Sequence, residues 1–125
     1  MRYALVVGLI LVTGCSKQPT ALDVCKRLEA TGAAAGCRAS TPAGLGAGAV
    51  EGATFDLPSV PGKTGQVLRY GDATAYAAGV EGYGRAAALA GPHRYGSDRA
   101  RIFVQANAGL GAAEGAKLRG VVEAL

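Results

Sequence analysis

One histidine, three cysteines and no long hydrophobic run occur among the 125 residues of this chain, and each shortage excludes something. With His93 as the sole histidine, zinc would have to rely on Cys25 and Cys37, about a dozen residues apart. That set does not match the ligand spacing of a tetrahedral site. A nucleophilic triad needs a histidine base beside a serine or cysteine and an acid. Ser97 lies too near His93 in sequence to suggest one, and no G-x-S-x-G elbow is present. The carboxylates Glu51, Asp56, Asp72, Glu81, Asp98, Glu114 and Glu123 stand singly, so no acid/base pair emerges. No metal, cofactor or catalytic set is expected.

Charge is modest as well. Thirteen Lys and Arg against nine Asp and Glu give a net charge of +4. This suits an anionic partner but falls short of the dense basic surface that nucleic-acid binding requires. The 20 glycines follow no collagen-like period. Gly62-Lys63-Thr64 matches the end of a phosphate-binding loop, yet Leu57 stands where that motif needs glycine and a strand pattern follows instead of a helix. A reverse turn is expected there.

The leader is the most informative stretch. Arg2 supplies a positive start and Ala4 to Val12 an apolar run of nine residues. That is about half of the roughly 20 needed to span a bilayer. Leu11-Val12-Thr13-Gly14-Cys15 then places small residues just before a cysteine. The segment resembles a bacterial lipoprotein signal peptide ending in a lipobox. The resemblance implies a diacylglycerol on the Cys15 thiol, cleavage after Gly14 and acylation, for example by palmitate, of the new amino terminus. Two or more chains, at about 0.8 kcal/mol per buried CH₂, make an anchor that does not readily dissociate. Ser16 instead of Asp after the cysteine implies, by analogy with enteric bacteria, the periplasmic side of the outer membrane. The Ala- and Gly-rich body is similar to small lipoproteins of high-GC bacteria, which implies no activity.

On this reading residues 1–14 are the signal peptide, 15–19 the lipidated cysteine and tether, and 20–125 a single domain. Processing leaves 111 residues and, with Arg2 gone, lowers the net charge from +4 to +3. With Cys15 carrying lipid, Cys25 and Cys37 remain as a pair in an oxidising compartment. A bridge between them is expected, worth roughly 3 kcal/mol in the chain-entropy account.

The patterns along the domain predict an α+β fold in the order α-β-β-β-α-β-β-α. A mostly antiparallel sheet of four to five strands should carry three helices on one side. Thr20 and Asp23 form a capping-box pair ahead of a helix presenting Val24, Cys25 and Leu28. Residues 37–40, 50–57 and 66–70 read as strands, with Ala53, Phe55 and Leu57 facing inward. Asp72 can cap a second helix, along which Tyr76, Val80, Tyr83 and Ala87 make an apolar stripe. Residues 93–95 and 100–106 read as a hairpin turning at 96–98. Ala112 to Ala124 should form a last helix that buries Leu118, Val121, Val122 and Leu125.

The densest polar segment is that hairpin, where His93, Arg94, Arg99 and Arg101 fall within nine positions. It reads either as a cradle for an anion or lipid headgroup, or as an exposed edge kept soluble by arginine. The functional expectation is an envelope lipoprotein anchored to a membrane, a non-enzymatic structural or interaction domain for another envelope protein. A module binding an anionic ligand through residues 92–101 is the alternative.

Overall fold

A computed structural model describes residues 18–125; Cys15 and the predicted signal peptide lie outside the described residues. Helix α1 (Ala21–Glu29) starts as its sequence dictates. Thr20 Oγ1 accepts from the Asp23 amide at 3.0 Å, and Asp23 accepts in return from the Thr20 amide. Ala21, Val24, Cys25 and Leu28 form its buried face. Gly32, in the left-handed region at φ 86°, turns the chain back. Strand β1 (Ala35–Ser40) then runs alongside α1. There Cys37 bonds to Cys25 in a disulfide, with Cα atoms 5.9 Å apart.

The remaining strands are β2 (Glu51–Asp56), β3 (Thr64–Arg69), β4 (His93–Ser97) and β5 (Ile102–Ala106). They form one antiparallel sheet in the order β1-β2-β3-β5-β4. The expected Pro61-Gly62 turn joins β2 to β3, with Gly62 at φ 85°. Asp72 caps α2 (Ala73–Arg85) by accepting from the Ala75 amide at 2.8 Å. The Tyr76-Val80-Tyr83-Ala87 stripe is interrupted at Ala86, after which α3 (Ala87–Ala90) forms a separate turn. Gly91, at φ 79°, ends it ahead of Pro92. Helix α4 (Ala112–Glu123) closes the fold and buries Leu118 and Val122.

The α+β class and the antiparallel sheet agree with expectation; the placement of the helices does not. Among the described residues four α-helices form, and they divide between the two faces. Helices α1 and α4 cover the face carrying Ala53, Phe55, Val67, Ile102, Val104 and Ala106. Helix α2 covers Leu68, Tyr70 and Phe103 on the other, packing Tyr76 and Tyr83 against them. The cause lies in the central strands. Val67 and Leu68 are consecutive, as are Ile102, Phe103 and Val104, and all five are buried. Consecutive residues point to opposite faces, so strands of this kind need cover on both.

Candidate functional site

The structure does not gather His93, Arg94, Arg99 and Arg101 into one anion cradle. Strand alternation sends His93 to the α4 face and Arg94 to the α2 face. His93 is 9% exposed and spends both ring nitrogens inside the core. Nε2 lies 2.6 Å from the Leu110 carbonyl oxygen and Nδ1 2.7 Å from the Tyr95 hydroxyl. A carbonyl only accepts, so Nε2 carries the proton and, in the neutral ring, Nδ1 accepts from Tyr95. Burial pushes the Tyr95 phenol above its ordinary pKa, which keeps it a donor. Arg94 Nε donates to the Gly91 carbonyl at 2.8 Å. Arg99 is exposed in the connection between β4 and β5, at residues 98–101 instead of the expected 96–98.

Arg101 turns towards a different partner, and it marks the site that sequence reading missed. Its backbone sits at φ 55°, a left-handed conformation unusual for a residue with a side chain. That twist lets its carbonyl accept from the Tyr70 amide at 2.9 Å, and its guanidinium reaches Gln18 at 3.4 Å. Its Nε is buried with no hydrogen-bond partner among the described residues.

Gln18, read from sequence as part of a short polar tether, is clamped to the end of the sheet. Its Nε2 donates to the carbonyls of Tyr70 at 2.9 Å and Ala100 at 2.8 Å. Its Oε1 accepts from Arg69 at 2.9 Å and from Arg101. Arg69 is held in turn by Glu51, Nε to Oε1, at 2.8 Å. The same Glu51 oxygen accepts from the Ala21 amide at 2.7 Å. This backbone hydrogen bond and then the Arg69 guanidinium hold the Glu51 carboxyl below its ordinary pKa. One connected network thus joins the tether to β2, β3, the β4–β5 connection and the start of α1. Beside it a hollow of about 420 Å³ is lined by Gln18, Asp23, Arg27, Ala124 and Leu125.

A second feature lies on the α2 face. Leu45 and Leu89, the latter 86% exposed, flank a shallow cavity of about 180 Å³ floored by Gln66 and Gln105. Gln66 Nε2 donates to the Tyr83 hydroxyl at 2.7 Å, and Gln105 Nε2 to the Ala90 carbonyl at 2.8 Å. Among the described residues no group of three His, Cys, Asp or Glu side chains is placed to hold a metal ion. No described helix is long and apolar enough to cross a membrane.

No protein-family model, curated protein or solved structure matches this chain.

Proposed function

We propose that this chain is a membrane-anchored envelope lipoprotein, lipidated on Cys15, whose domain acts as a non-enzymatic interaction module. The observation that carries the reading is the junction at Gln18. Four hydrogen bonds fix the chain to the fold only three residues after Cys15. Such a junction holds a domain close to its attachment point and limits how far it swings. The leader supplies an export route and a cysteine at the cut, and the Cys25–Cys37 bridge suits an oxidising compartment.

The non-enzymatic part of the reading draws support from His93, whose ring nitrogens are committed to the core. Tyr70, Tyr76, Tyr83 and Tyr95 are all buried. The anion-cradle reading of residues 92–101 gains no support, because its four side chains diverge. Labelling cells with a fatty-acid analogue tests the proposal. The wild-type chain should incorporate label, and Cys15→Ala should lose it and accumulate as precursor. Equal labelling of both would refute the assignment.

A further inference from the structure

We infer that the mature protein rests on the bilayer through the end of the sheet that carries Gln18, with Val50 and Arg99 forming the lipid contact. The inference rests on the anchor proposed above and adds which surface meets the lipid. Three peptide steps separate Gln18 from Cys15, and at about 3.6 Å each they span at most about 11 Å. Strand β3 has six residues, which makes it about 20 Å long. To stand on its opposite end, at the turn that includes Lys63, the domain would need a tether as long as the sheet. It has about half of that.

The surface around the tether suits a lipid headgroup layer. Val50, directly before β2, is 59% exposed and lies against Gly71. Arg99 is exposed in the connection whose Ala100 carbonyl binds Gln18. Gln18 therefore sits at the same end of the sheet as an apolar side chain, suited to the headgroup–acyl boundary, and a guanidinium, which pairs with phosphate. Asp72 and Asp98 are exposed at the same end and offset the charge of Arg99. The short tether, not net charge, sets the orientation, which should therefore persist in high salt. Leu89 and the shallow α2-face cavity belong to the far half of the sheet, near Ala90 and Gln105, and stay clear of the bilayer.

The experiment uses the acylated mature protein on vesicles of phosphatidylethanolamine and phosphatidylglycerol. With Cys15 acylated and Cys25 bonded to Cys37, a cysteine added as Val50→Cys or Lys63→Cys is the single free thiol for a fluorophore. A nitroxide lipid quenching at headgroup depth should quench the label at 50 several-fold more than the label at 63. Adding Gln18→Ala, with unchanged circular dichroism, should bring the two close together. Equal or reversed quenching in protein that floats with the vesicles would overturn the orientation and leave the anchor standing. An unchanged ratio in Gln18→Ala would overturn the role of the junction. Failure of the Cys15-bearing protein to float would overturn the anchor and the orientation together.

Discussion

The amide oxygen of Gln18 accepts from the Arg69 guanidinium at 2.9 Å, joining two residues 51 positions apart. The same side chain donates to the carbonyls of Tyr70 and Ala100, so one glutamine ties the tether to β3 and to the β4–β5 connection. Gln18→Ala removes every one of these bonds and leaves two carbonyls and two guanidinium groups to find water. A loss of about 1–2 kcal/mol is expected, seen as a fall of several degrees in the Tm of the mature domain. An unchanged Tm would mean that the clamp contributes nothing.

Two glycines in α2 should respond in opposite directions. A Cβ at Gly79 would collide with the ring and hydroxyl of Tyr70, which is fully buried and has no room to withdraw. Gly79→Ala should therefore destabilise by about 1–3 kcal/mol although alanine is the better helix former. A Cβ at Gly82 would meet nothing within 4 Å, so Gly82→Ala should stabilise by about 1 kcal/mol. Urea titration of both variants checks the pair. Equal responses would place α2 wrongly on the sheet.

The tyrosines predict the behaviour in alkali. Burial is the largest cause pushing Tyr76 and Tyr83 up to about 12, and it also raises Tyr70 and Tyr95. A raised pKa in the folded state means that the unfolded chain ionises first. The tyrosines leave stability unchanged below pH 10 and lower it as pH rises from 10 towards about 12. Tyrosinate absorbance of the mature domain should stay flat around pH 10 and rise later, together with loss of the folded circular dichroism. A tyrosine that ionises near pH 10 in folded protein would contradict this burial.

Much of the fold was legible where local chemistry decides it. The Thr20–Asp23 box, the Asp72 cap, the alternation through Ala53, Phe55 and Leu57, and the glycine turns all took the expected form. The second helical layer was written in the consecutive apolar residues Val67-Leu68 and Ile102-Phe103-Val104. A period-two reading that seeks one buried face passes over such runs. Which of the two hairpin readings holds was not legible, because closeness in sequence does not make side chains converge. Alternation separates His93 from Arg94, and a left-handed backbone turns Arg101 towards Gln18. The junction itself left no sequence signal. Its bonds link Gln18 to residues 51 to 83 positions away, and a polar residue after a leader reads the same whether clamped or loose.

The most direct measurement is the intact mass and amino-terminal peptide of the protein extracted from membranes with detergent. The account predicts a chain beginning at Cys15, heavier than its 111 residues by a diacylglycerol and one further acyl group. It also predicts Cys25 and Cys37 linked and resistant to alkylation until reduced. A chain that begins elsewhere, or a Cys15 thiol that alkylates without lipid attached, would contradict it.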